Sequence, residues 1–263
     1  YQERFAALLN YATLPFYWGA YEREPGKEER ANRAELARWC AERGIATKGH
    51  PLVWHEVVPK WAAQLPDARA RLRERVQRVV SAFRGQIDRW DVVNEATVSH
   101  KFQNPVGDWA RETGAVELVR EALAWAREAN PKATLLYNDF NVGPEYEQLA
   151  QALAPTGLVD VFGIQSHMHA EEWTLEKVWQ VCETYARFGR PLHFTELTVL
   201  SGAYKEKDTD WHTPRAEWPS TPEGERKQAE YLAAFYKLVF SHPAAQAITM
   251  WGFQDKTWLG APG

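Results

Sequence analysis

The chain has 263 residues, with 31 Lys or Arg against 35 Asp or Glu and a formal net charge of −4. That balance offers no electrostatic footing for nucleic acid or an anionic membrane surface, and no apolar run reaches the roughly 18 residues that span a bilayer. The length suits one large domain or two small ones, and single α/β barrels commonly run to about 250 residues. Cys40 and Cys182 sit in helical patterns without metal-ligand spacing and are expected as buried free thiols. The chain starts at Tyr1 with neither methionine nor a signal-type segment, as a processed or trimmed product would. Thirteen tryptophans stand out. They read as an aromatic-rich core unless they fall at strand ends and loops, where they would stack on flat apolar faces such as those of sugar rings.

Residues 1–9 read as the end of a helix. After them, short apolar runs rich in β-branched and aromatic residues appear at 9–18, 45–54, 87–95, 133–139, 159–166, 191–197 and 247–255. Amphipathic stretches lie between them at 28–43, 68–83, 116–128, 174–188 and 224–240. This alternation predicts a parallel sheet covered by helices in one domain spanning 1–263. Seven strands fit a TIM (β/α)8 barrel without its first strand and last helix, or an open form of it. The irregular stretch 198–223 follows a strand and would lie on the catalytic face of a barrel.

Two strands end in glutamate: Trp90-Asp91-Val92-Val93-Asn94-Glu95 and His193-Phe194-Thr195-Glu196-Leu197. Either alone is equally well a solvated strand cap. Together at a barrel mouth they match the needs of glycoside cleavage. One carboxyl protonates the leaving oxygen and the other attacks the anomeric carbon, at a separation of about 5–5.5 Å in retaining enzymes. A close negative partner and partial burial would raise the pKa of the acid.

Other strand ends carry further candidates. Gly49-His50-Pro51-Leu52-Val53-Trp54-His55 offers imidazole for hydroxyls and indole for a ring face. Gly163-Ile164-Gln165-Ser166-His167-Met168-His169 puts two histidines on one strand face; a histidine that orients Glu196 is favoured there over a metal ligand. Tyr137-Asn138-Asp139-Phe140-Asn141 is also readable as an Asn- and Asp-rich turn. The stretch 249–258 places Trp251 and Trp258 at a strand end and its loop. A metal-dependent hydrolase using His50, His55, His167 and His169 is the competing enzymatic reading, and its further ligands are not evident.

In order and content these motifs resemble glycoside hydrolase family 10, the endo-β-1,4-xylanases. The segments GHPLVWH (49–55), WDVVNEA (90–96), LYNDFN (136–141), GIQSHMH (163–169), FTEL (194–197) and ITMWGFQDKTW (248–258) span about four-fifths of the chain. The resemblance implies a TIM barrel, a retaining mechanism and no cofactor. It makes Glu95 the acid/base, Glu196 the nucleophile, Asn94 a ligand of the sugar 2-hydroxyl and His167 the group that orients Glu196. His50, Trp54, Gln165, Trp251 and Trp258 would line sugar subsites, with Asn138 and Tyr17 as further substrate contacts. It also implies a monomer acting on xylan or a related β-glycan, outside the cell.

The departures are local. The family's second strand ends in a Glu-Asn…Lys-Trp pattern that grips the non-reducing sugars; here Trp18 survives and Tyr17 stands where lysine is usual. Glu56-Val57 replaces the glutamine after VWH, and Thr198 stands where an acidic residue is common. Trp211 and Trp218 are candidates for substitute sugar contacts. Recognition away from the cleaved bond is therefore open, which leaves a related β-glycosidase on another glycan, or a non-catalytic glycan-binding barrel, as alternatives.

Overall fold

A computed structural model describes residues 1–204, 214, 217–252, 254, 256 and 260–262. They pack as two compact units, Tyr1–Gly163 and Ile164–Gly263.

The first unit opens with α1 (Gln2–Leu8), β1 (Tyr11–Pro15) and α2 (Trp18–Tyr21). The small antiparallel hairpin β2 (Glu22–Glu24) and β3 (Lys27–Glu28) follows, then α3 (Arg30–Ala41), β4 (Ala46–His50), α4 (Ala68–Ala82) and β5 (Arg89–Asn94). The short α5 (Ala96–Ser99), α6 (Pro105–Thr113) and α7 (Ala115–Ala129) lead to β6 (Thr134–Asp139), α8 (Pro144–Leu153) and β7 (Val161–Ile164). Strand order is β1-β4-β5-β6-β7, and the β1/β4, β4/β5 and β5/β6 pairs are parallel. In β5 and β6 every residue after the first is buried, as in a parallel sheet covered on both faces.

The helices start where the side chains cap them. Asp67 accepts from the Ala70 amide at 2.8 Å and begins α4, which buries Leu72, Val76, Val79 and Val80 at helical spacing. Asn104 accepts from the amides of Val106 and Gly107, both at 3.1 Å, ahead of Pro105 in α6. Two buried devices then position the strand ends. Gly49 pairs with Trp90, and a Cβ on Gly49 would lie 2.2 Å from the indole, so only glycine admits that ring. Arg75, fully buried on α4, donates to the carbonyls of Phe16 and Leu52. It thereby ties together the segments that carry Tyr17 and Trp54.

The second unit holds β8 (His167–Met168), α9 (Leu175–Ala186), β9 (Leu192–Val199), α10 (Pro222–Ser241) and β10 (Ala245–Met250). Both β8 and β10 pair in parallel with β9, which is buried along its whole length. Thr174 and Thr221 cap α9 and α10. Trp218 packs with Leu200 and Ala261, and its indole donates to the Ala203 carbonyl at 2.6 Å. The structure thus gives this tryptophan to the core rather than to an open stacking face; Trp211 lies outside the described residues. Cys40 and Cys182 are buried and free, as expected.

Candidate active site

Glu95 follows the last residue of β5 in the left-handed conformation, φ 57° and ψ 44°. A non-glycine residue there costs on the order of 1 kcal/mol, and such outliers cluster at functional positions. The turn is held by the Glu95 amide, which donates to the Asn138 carbonyl at 2.8 Å. Each carboxylate oxygen then meets a donor. Trp54 Nε1–H reaches Oε2 at 3.0 Å and the Asn94 amide reaches Oε1 at 2.9 Å. Asn138, fully buried, donates to Asn94 Oδ1 at 2.8 Å. That bond decides which way the Asn94 amide points: its oxygen is engaged by Asn138, so its NH2 faces Glu95.

His55 approaches Glu95 from another side, with Nε2 3.9 Å from Oε2. Its Nδ1 lies 2.9 Å from Ser99 Oγ, and Ser99 donates to the Glu95 carbonyl at 3.2 Å. The serine oxygen is therefore the acceptor for Nδ1–H, and the Nε2 lone pair faces the carboxyl. Burial lowers the His55 pKa to about 4, so the ring is neutral at ordinary pH and adds no positive charge beside Glu95. Asp139 braces the next turn. It accepts from the amide and hydroxyl of Thr97, the Asn141 amide and the Tyr137 hydroxyl. Burial raises its carboxyl pKa in spite of those bonds.

Beside this cluster, Asp91 is fully buried between Lys48 Nζ at 2.6 Å and His50 Nδ1 at 2.7 Å. Burial alone would raise its pKa. The Lys48 charge and the His50 hydrogen bond outweigh that and hold it below the ordinary carboxylate value. His50 is thus locked through Nδ1–H. Tyr17 packs edge-on against the His50 ring and tilted against Trp54, both at 5.5 Å. Lys48→Met should cost about 3–5 kcal/mol at neutral pH, because it leaves a buried carboxylate short of its cation; chemical unfolding at pH 7 measures it. The sign of the pH dependence follows from the depressed Asp91 pKa. Its stabilisation is present above the unfolded value of about 3.9 and is lost as pH falls through the lower folded value.

In the second unit Glu196 lies buried on β9. His167 Nε2 is 2.9 Å from Glu196 Oε2, and His167 Nδ1 is 2.9 Å from Thr198 Oγ1. Trp251 stands perpendicular to the His167 ring at 5.8 Å, and its amide donates to the Leu197 carbonyl at 2.9 Å. Gln165 is buried, and Trp258 lies outside the described residues. Among the described residues no group of three or more His, Cys, Asp or Glu is placed to hold a metal ion.

Of the residues expected from the sequence, Asn94, Glu95, Trp54, His50, Tyr17 and Asn138 come together in the first unit; His167, Glu196, Gln165 and Trp251 belong to the second. Sequence reasoning passed over Lys48, Asp91, Ser99 and Asp139 as parts of the site. Lys48 and Asp91 did carry a signal, as charges inside otherwise apolar strands. Asp139 lay in the polar strand end 137–141, also readable as a turn, and Ser99 carried no signal, because its role depends on contacts made by the fold.

The model of the family described as glycosyl hydrolase family 10 matches residues 15–262. Endo-1,4-beta-xylanase B of Paenibacillus barcinonensis is 31% identical over 242 residues, covering 86% of this chain and 71% of that protein. Endo-1,4-beta-xylanase B of Thermotoga neapolitana is 31% identical over 226 residues, covering 80% of this chain and 60% of that protein. Among solved structures, a GH10 protein from Paenibacillus barcinonensis superposes with a TM-score of 0.81 at 24% identity, over 98% of this chain and 80% of that one. Xylanase 10B of Thermotoga petrophila in complex with xylobiose gives 0.79 at 26% identity, over 97% and 77%. These likenesses establish the (β/α)8-barrel fold class that the strand–helix alternation predicts.

Proposed function

The chain belongs to glycosyl hydrolase family 10, and from that premise we propose that it is an endo-1,4-β-xylanase that cleaves internal bonds of xylan with retention of configuration. The whole chain acts as one catalytic domain, as a monomer outside the cell, and needs no cofactor. The observation that carries this reading is that both motif carboxylates are fixed in place by hydrogen bonds from other motif side chains. Glu95 has a donor on each oxygen, from Trp54 and Asn94, beside a neutral His55. Glu196 is buried on a strand with His167 on Oε2.

In the first step Glu95 protonates the leaving glycosidic oxygen while Glu196 attacks the anomeric carbon, forming a glycosyl ester. In the second, Glu95, now a carboxylate, removes a proton from water as it attacks that carbon, and the ester bond to Glu196 breaks. Asn94 binds the 2-hydroxyl of the sugar being cleaved. His50, Trp54, Tyr17, Gln165, Trp251 and Trp258 line the subsites, with Asn138 in support.

A second reading is a related retaining β-glycosidase on another glycan. The packing of Tyr17 on His50 and Trp54 favours it, since an aromatic surface replaces a cationic grip on the sugar. The deciding assay measures new reducing ends from soluble xylan, mixed-linkage β-glucan and aryl β-glycosides. Xylo-oligosaccharides of several lengths should appear early. Cleavage of the glucan alone would move the assignment to the second reading, and tight xylan binding without cleavage would reduce the protein to a glycan-binding barrel.

A further inference from the structure

We propose that Thr198 is a positioning residue: through Nδ1 of His167 it aims the Nε2–H of that ring at the Glu196 carboxylate. The inference rests on the reading of Glu196 as nucleophile. Glu196 and Thr198 are two residues apart on β9, so their side chains leave the strand on the same face. Residues His167 and Thr198 are register partners across the β8/β9 pair, and the Thr198 amide donates to the Ser166 carbonyl at 3.2 Å. The backbone thus delivers one imidazole between two side chains, with 2.9 Å on each side.

The direction of each hydrogen bond follows from the acceptor that cannot change. A nucleophilic carboxylate carries no proton, so it accepts, and Nε2 bears the hydrogen. In the neutral ring Nδ1 is then a lone pair, and the Thr198 hydroxyl donates to it. If the ring gains a proton, the same hydroxyl turns and accepts. Thr198 is 7% exposed, so water is a poor substitute partner. His169 and Trp251, with ring centroids 5.4 and 5.8 Å from that of His167, flank the ring without replacing this bond. The ring orientation therefore depends on a hydroxyl two residues beyond the nucleophile, and that residue touches no reacting atom.

The test combines side-chain 15N spectra of the intact protein with steady-state kinetics on xylan. His167→Gln identifies the signals, which are read in the neutral form of the ring. The wild type should show Nε2 protonated and Nδ1 as an unprotonated acceptor. In Thr198→Val, Nδ1 should move downfield, as an acceptor does when it loses its donor. In that variant kcat should fall about threefold to tenfold, the worth of one hydrogen bond, with KM nearly unchanged because only orientation in the chemical step is lost. Thr198→Ser should restore both readouts. The proposal falls if wild-type Nδ1 is protonated, if the valine variant leaves either readout unchanged, or if serine fails as valine does. The spectrum needs no turnover. A protein inactive on xylan would sink the functional reading while the Nδ1 signal still decides the hydrogen bond.

Discussion

Glu196→Ala should lower the rate of xylan hydrolysis by about 10⁴- to 10⁶-fold, the range seen when an enzyme loses its nucleophile. The size follows from the mechanism. Without the carboxylate no glycosyl ester forms. Removing a buried, hydrogen-bonded carboxylate leaves His167 Nε2 without its acceptor, and matched chemical-unfolding midpoints separate a folding loss from the catalytic one. A small anion fills the vacancy in a diagnostic way. Azide should restore bond cleavage and yield the α-glycosyl azide, since it attacks once, from the face the nucleophile used. An alanine variant that retains wild-type activity would remove Glu196 from the mechanism. A β-configured azide product would assign it the other role.

The second large effect belongs to Glu95→Ala, with a loss of about 10²- to 10⁴-fold on xylan, as for a general acid. This loss should depend on the leaving group. A sugar alkoxide needs the proton, whereas a nitrophenolate leaves without help, so glycosylation by an aryl β-xyloside should be nearly normal and the ester intermediate should accumulate. Azide, which needs no general base, should release it as the β-glycosyl azide. The variant should also lose the limb of the pH–rate profile that reports this acid. The surroundings of Glu95 make the alanine change informative. Trp54 and Asn94 keep their own supports, since Asn138 holds the Asn94 amide and Tyr17 packs on the Trp54 ring. An equal loss of kcat/KM, which reports glycosylation, on xylan and on the aryl xyloside would count against Glu95 as the acid.

The two glutamates were legible as a pair, each set in an otherwise apolar run; the expectation that both close a strand holds for Glu95, which follows β5, while Glu196 lies inside β9, which runs on to Val199. All seven apolar runs overlap a strand of the structure, among them β1, β5 and β9, since strand periodicity and composition act locally. The short elements were not legible. The helix α5 has four residues, and β8 has two; neither is long enough to show a period. The hairpin β2–β3 and the helices α6 and α8 were likewise passed over. Tryptophan 218 shows the limit of composition. A tryptophan in a Pro-rich stretch reads as a binding face, yet Trp218 packs with Leu200 and Ala261.

By itself, then, the sequence determined the alternation of strand and helix, the carboxylate at the end of β5 and that on β9, and the family resemblance of the motifs around them. Those features follow from side-chain period and residue type within a few positions of each other. Only the tertiary structure decided how each carboxylate is held. The direction of the Asn94 amide is settled by Asn138, 44 residues away, and the tautomer of His55 by Ser99, likewise 44 residues away. The ring of His167 is placed by Glu196 and Thr198, 29 and 31 residues away. The physical reason is that a hydrogen bond depends on distance and angle in space. A sequence can name the donors and acceptors, but the fold chooses which of them meet.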